Sequence, residues 1–217
     1  MTIPDLFSSL IPMQLILEQL GKRFIREWIF RRLSLELSSG QRMAITGPNG
    51  SGKSTLLQVV AGALAASEGK LTYRNGNQDI PADDVFRQVA IAAPYLELIE
   101  EFTLTELVDF HQKFKPFKNN LQTAEFIERL DLKASSDKFI RNFSSGMKQR
   151  LKLGLAFHSQ VPVVILDEPT SNLDARNSEW YYREVQKLDD SQLVIIGSNV
   201  PAEYSFCEKR LDIQAYK

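Results

Sequence analysis

From Leu33 through Leu35 to Leu37 every second residue is apolar, the period of a half-buried strand, and Trp28–Leu37 is expected to form one. An earlier strand is expected over Gln14–Gln19. Ser38-Ser39-Gly40 then turns the chain into a short apolar strand, Met43–Thr46. Gly69–Tyr73 reads as a strand closed by the tight turn Asn75-Gly76-Asn77, and Val85–Ala92 as a buried strand ending at Pro94. The period changes between Thr103 and His158. Thr103 and Glu106 form a capping box ahead of Leu104, Leu107, Val108 and Phe110. Leu121–Leu130 sets Phe126, Ile127 and Leu130 on one helical face, and Ser144-Ser145 opens a third helix. Val163–Leu166 is wholly apolar, as a central parallel strand is. A helix over Ala175–Leu188 and strands at Leu193–Ile196 and Arg210–Ile213 complete an α/β pattern interrupted by a helical lobe.

The strand Met43–Thr46 runs into Gly47-Pro48-Asn49-Gly50-Ser51-Gly52-Lys53-Ser54-Thr55, which fits the phosphate-loop spacing G-x-x-x-x-G-K-[ST] in full. Backbone N–H groups can wrap a triphosphate closely only where side chains are absent, and Gly47, Gly50 and Gly52 supply that freedom. A helix opening at Lys53 turns its positive end to the phosphates. Lys53 is expected to reach the β- and γ-phosphates and Ser54 to ligate Mg²⁺. The plain alternative is a glycine turn between a strand and a helix.

Two further constellations add chemistry. The strand Val163–Leu166 delivers Asp167 and Glu168 at its C-terminal end, where ligands sit in open α/β sheets. Asp167 is suited to hold Mg²⁺ and Glu168 to act as general base on water. Ser144 reads as an N-cap, and a capped helix N-terminus is an anion site, although the residues alone do not say whose anion.

The 217 residues suffice for one large domain or two small lobes, and 43% apolar with 24% charged residues is ordinary for a soluble globular chain. A net charge of −1 gives no electrostatic ground for nucleic acid. The single Cys207 rules out an internal disulfide framework and fits a reducing compartment. No apolar run is long enough to span a bilayer, so a cytoplasmic location is expected. Residues 1–12 look like an appendage, with Met13 the expected functional start.

Phosphate loop, helical insert with Ser144-Ser145-Gly146, apolar strand with Asp167-Glu168-Pro169-Thr170, then Ser171-Asn172-Leu173-Asp174: this order resembles the nucleotide-binding domain of an ABC transporter. The resemblance covers nearly all of 13–215. Phe143–Gln149 is similar to the family's signature sequence, in the Ser-Gly-Met-Lys-Gln-Arg form of bacterial ABC-2 exporters. It implies a P-loop NTPase fold: a RecA-like, mostly parallel core (13–94 and 159–217), an antiparallel β subdomain, and an α-helical lobe (95–158), together one ATPase domain. It implies ATP and Mg²⁺ as cofactors and a second such domain, identical or not, as partner. A separate membrane permease, and no nucleic acid, completes the set. Asn49, Ser51 and Thr55 come into the binding set with the rest of the phosphate loop. Each ATP would lie between the phosphate loop of one domain and Ser144 and Gly146 of the other, with Asp174 lining the partner's site. Phe24 holds the place of the adenine stacker, with Trp28 competing.

Two positions depart from the family pattern. Its Mg²⁺-ligating Gln is replaced by Tyr95 if Pro94 matches the usual proline, or by Pro94 or Leu96 under a one-residue shift; Glu97 could approach by another loop path. Its switch His is replaced by Asn199, which can donate to a phosphate but cannot carry a proton. His111 and His158 are read as structural. A working but slow ATPase is expected, peripheral on the inner face of the cell membrane through its permease. The alternatives are a degenerate ATP-binding subunit and a soluble ATPase of the Fe–S assembly kind. The stretch Tyr95–Phe102 is apolar for a loop: it either packs the lobe or receives a short helix of the permease.

Overall fold

The computed structural model describes residues 13–217, so the appendage expected at 1–12 lies outside the described residues. β1 (Met13–Phe24) and β2 (Glu27–Ser38) make a long antiparallel hairpin in which Leu15 faces Leu37 and Leu17 faces Leu35. β3 (Arg42–Thr46) leads into helix α1 (Lys53–Val60), followed by β4 (Glu68–Asn75) and the short β5 (Gln78–Asp79). Next come α2 (Val85–Gln88), β6 (Val89–Ala92), α3 (Leu104–Gln112), α4 (Thr123–Arg129) and α5 (Ser145–His158). The chain returns through β7 (Val163–Asp167), α6 (Ala175–Val185), β8 (Leu193–Gly197) and β9 (Lys209–Asp212). The strands gather into an antiparallel sheet, β2-β1-β4-β5, and a parallel sheet, β6-β7-β8-β3-β9. This is the α/β architecture that the sequence predicts.

One expectation fails. Val85–Ala92 is not a single strand: its first half is helix α2. A strand would aim Arg87 inward with Val85 and Val89. The helical turn buries both valines and leaves Arg87 outside, 3.4 Å from the Asp84 carboxylate.

The parallel sheet is buried on both faces, and residue parity decides which core each side chain joins. Val163 and Ile165 of β7, with Leu193 and Ile195 of β8, pack among α1 and the antiparallel sheet. Val164, Leu166, Val194 and Ile196 pack among the α3–α6 helices. Two apolar faces require an unbroken apolar run, which is why β7 carries no polar residue before Asp167. Each such burial stabilises by about 1.5–3 kcal/mol.

The lobe forms as its caps dictate. Thr103 and Glu106 make both bonds of the capping box at the start of α3. Phe117 stacks on Phe126 at 4.4 Å, and His158 meets Phe126 edge-on at 5.4 Å. His111 Nε2 lies 2.8 Å from Ser159 Oγ, and burial pushes its pKa down to about 4. Both histidines therefore serve packing. Among the described residues no helix is long and apolar enough to cross a membrane.

Candidate functional site

Parallel strands place all their C-terminal ends on one edge of the sheet, and four loops leave from that edge. They are the glycine loop after β3, residues 93–97 after β6, Glu168 onward after β7, and Ser198-Asn199 after β8. Backbone bonds tie them together: Glu168 N donates to Gly197 O at 2.9 Å and Ser198 N to Ile45 O at 3.1 Å.

In the glycine loop Gly47, Gly50 and Gly52 all have positive φ, +141°, +75° and +103°. At Gly52 a Cβ would also lie 2.5 Å from Ile29 Cγ2 of β2, so the hairpin abuts the loop. Lys53 is buried, 3% exposed, and its Nζ donates to Gly47 O at 2.9 Å and Pro48 O at 3.2 Å. The cation thus sits inside the ring of backbone that the loop forms. Asn49 is exposed, Ser51 is buried with its hydroxyl unpartnered, and Ser54 and Thr55 are half-buried in the first turn of α1.

Asp167 is 1% exposed, and among the described residues neither carboxylate oxygen has a partner within hydrogen-bond geometry. Burial raises its pKa to about 6; the Ser54 hydroxyl and the Lys53 charge pull it down, while Glu168 and Glu203 push it up. A buried acid with free oxygens, beside a serine hydroxyl and facing a lysine, is a donor set that fits a hard divalent cation. Glu168 follows with φ +41°, a left-handed conformation rare for a side chain of its size, and is half-buried at the edge.

Tyr95 is 40% exposed, and its hydroxyl pKa is raised by burial and by the Asp167 charge. Pro94 beside it is exposed as well. Asn199 donates through Nδ2 to Asn49 Oδ1 at 2.9 Å, linking the loop after β8 to the glycine loop. Phe24 is 48% exposed, not a core residue, and Lys22 Nζ lies 5.1 Å from its ring centre. Trp28 is already flanked by the guanidinium groups of Arg31 at 4.4 Å and Arg23 at 5.5 Å.

Ser144 caps α5 by accepting from Met147 N at 3.2 Å. Gly146 sits where a Cβ would be 3.2 Å from Asn172 O. The partners of these two residues are thus Met147 and Asn172 rather than any residue of 47–55. Asp174 is exposed and caps α6, accepting from Asn177 N at 2.8 Å.

Three residues escape a reading of the sequence. Gln149 is 1% exposed and donates to Pro169 O at 2.9 Å, fixing α5 to the loop after β7. Lys152 donates to three carbonyls of one loop, Ala93 at 2.9 Å, Leu96 at 3.2 Å and Pro94 at 3.3 Å. Glu203 is a buried carboxylate bound to Thr170 and Ser198. Gln149 and Lys152 stand on the helix that Ser144 opens, but only the packed loops reveal their targets. For Glu203 no local pattern exists.

The sequence profile described as "ABC transporter" matches residues 30–171. The cytochrome c biogenesis ATP-binding export protein CcmA of Brucella abortus (strain 2308) is 31% identical over 87% of this chain and 86% of its own. The sulfate/thiosulfate import ATP-binding protein CysA of Synechocystis is 28% identical over 82% of this chain and 51% of its own. An ATP-binding cassette solved as a dimer in a post-hydrolysis state, with ADP and Pi bound, superposes with a TM-score of 0.78. It covers 92% of this chain and 94% of that one at 21% identity.

Proposed function

Since the chain belongs to the ABC transporter family, we propose that it is the ATP-binding and ATP-hydrolysing subunit that energises a membrane transporter through closure of a dimer. The observation that carries this reading is the buried, unpartnered Asp167 beside Ser54 and Lys53 of a complete phosphate loop. The domain comprises a core, 13–94 and 159–217, and a lobe, 95–158. Residues 47–55 wrap the triphosphate, with backbone N–H groups and the Lys53 ammonium opposing its charge. Ser54 and Asp167 would hold Mg²⁺, which would supply positive charge against the phosphates. Glu168 takes the proton of the water whose oxygen bonds to the γ-phosphorus as the bond to the ADP oxygen breaks.

In the same reading Phe24 stacks on adenine, because the guanidinium groups of Arg31 and Arg23 already lie over the Trp28 ring. Tyr95 and Asn199 stand toward the γ-phosphate. Ser144 and Gly146, at the start of α5, serve the ATP of a second copy or a related domain, and Asp174 lines that site. The subunit works at the cytoplasmic face of the membrane, attached through a permease. The relatives named above carry both export and import in their names, so the cargo follows from the permease.

ATP turnover with Mg²⁺, measured beside Glu168→Gln, tests this. Turnover falling at least about tenfold in the variant, with ATP binding retained, is expected. Equal rates in both would instead support a domain that binds ATP without hydrolysing it.

A further inference from the structure

Glu203 lies in the short 3-10 turn Pro201–Tyr204, after β8, and is 2% exposed. One carboxylate oxygen accepts from Thr170 N at 2.9 Å and from the Thr170 hydroxyl. The other accepts from the Ser198 hydroxyl, which itself accepts from Val200 N at 2.9 Å. None of the described ion pairs includes Glu203. Its backbone is fixed in turn: Glu203 N donates to Val200 O at 3.0 Å, and the buried Tyr181 hydroxyl of α6 donates to Glu203 O at 2.9 Å.

Thr170 stands two residues after Glu168, and Ser198 stands one residue before Asn199. A single buried carboxylate thus spans the loop that carries the general base and the loop that carries the switch amide. Glu168 needs such a brace, because its left-handed φ of +41° is a conformation that persists only where its surroundings hold it. Asp or Glu is almost never fully buried without a cation, and here three neutral donors take that place.

We infer that Glu203 is a positioning residue for hydrolysis: it fixes the distance between Glu168 and Asn199 by tying Thr170 to Ser198, and touches neither ATP nor water itself. The inference rests on the hydrolysis reading above. Replacing Glu203 with leucine leaves three donors without an acceptor and frees both loops. Replacing it with glutamine keeps an oxygen for Thr170 and offers Ser198 an N–H.

The test uses the full chain with Mg²⁺ and ATP. In Glu203→Leu, kcat falls by about tenfold to a hundredfold while the KM for ATP stays within about threefold, because the phosphate loop is untouched. Glu203→Gln restores most of kcat. Amide exchange quickens at Thr170 in Glu203→Leu but not in β7. A wild-type kcat in Glu203→Leu, a glutamine variant as slow as the leucine one, or unchanged exchange at Thr170 overturns the proposal. Should Glu203→Leu not fold, Ser198→Ala severs only one half of the link, and a wild-type kcat there overturns it too. Absence of turnover in the unsubstituted chain defeats the hydrolysis reading instead, and exchange at Thr170 still decides whether Glu203 is the link.

Discussion

At the scale of single residues, Asp167 carries a pH signature. Its pKa rises from the usual 3.8 to about 6, chiefly by burial. The folded chain therefore keeps a proton that the unfolded chain releases between those values. The stability this supplies is complete below about 3.8 and is lost as pH rises through about 6. At neutral pH the folded state holds a buried charge whose desolvation outweighs the help of Ser54 and Lys53. Asp167→Asn is thus expected to stabilise the protein free of nucleotide and metal at pH 7.5 by on the order of 2 kcal/mol, raising Tm by a few degrees, while abolishing turnover. Thermal unfolding of both proteins at pH 5 and pH 7.5 checks it. A Tm gain that does not shrink at pH 5 would count against burial as the cause.

At the scale of elements, α5 does more than present Ser144. Lys152 caps three carbonyls of the loop after β6, and Lys148 pairs with Glu100 further along the same loop. The Lys152 ammonium is half-buried, and desolvation, followed by the nearby Lys148 charge, lowers its pKa. Lys152→Met keeps the stem and removes the donor. The loop that carries Tyr95 then exchanges its amides faster, with Tm falling by about 1–2 kcal/mol in equivalent stability. Unchanged exchange at 93–97 would show the lysine to be ornamental.

Elements also show how much the chain states locally. The caps at Thr103 and Ser144 are legible because a cap is decided within four residues, and β7 is legible because burial on two faces leaves a solid apolar run. The glycine loop is legible for the same reason of short range. The helix at Val85–Gln88 is not, since four residues fit either period and only the outward placement of Arg87 decides. Glu203 and Lys152 act across gaps of 33 and 59 residues, beyond any local rule. Nor does any local rule say that burial, and then the Asp167 charge, would raise the pKa of the Tyr95 hydroxyl.

At the scale of the molecule, the apolar stretch 95–102 divides its roles. Leu98 and Phe102 pack inward against the helical core. Ile99 is 38% exposed and Phe114 52%, and Phe102, Phe110 and Phe114 form an edge-to-face series with centroids 5.5 and 5.2 Å apart. The packing reading therefore holds for Leu98 and Phe102, and the docking reading falls to the exposed Ile99 and Phe114 as a proposal. Ile99→Asp with Phe114→Asp is expected to leave Tm and ATP turnover near wild type while lowering retention by the permease in detergent at least about tenfold. Leu98→Asp, by contrast, is expected to cost stability by about 2–4 kcal/mol. Normal permease retention in the double variant would move the docking site elsewhere.

The parallel sheet has two unlike rims. All the chemistry argued above leaves from one rim; the strands begin at the other, where Gln192 is buried and bonded to Val161 O and Gly40 N donates to Gln192 O at 3.2 Å. Beside that knot the Asp190 side chain is fully exposed. A fluorophore or surface tether attached at Asp190 therefore reports on the subunit, or holds it to a chip, from the rim opposite the glycine loop.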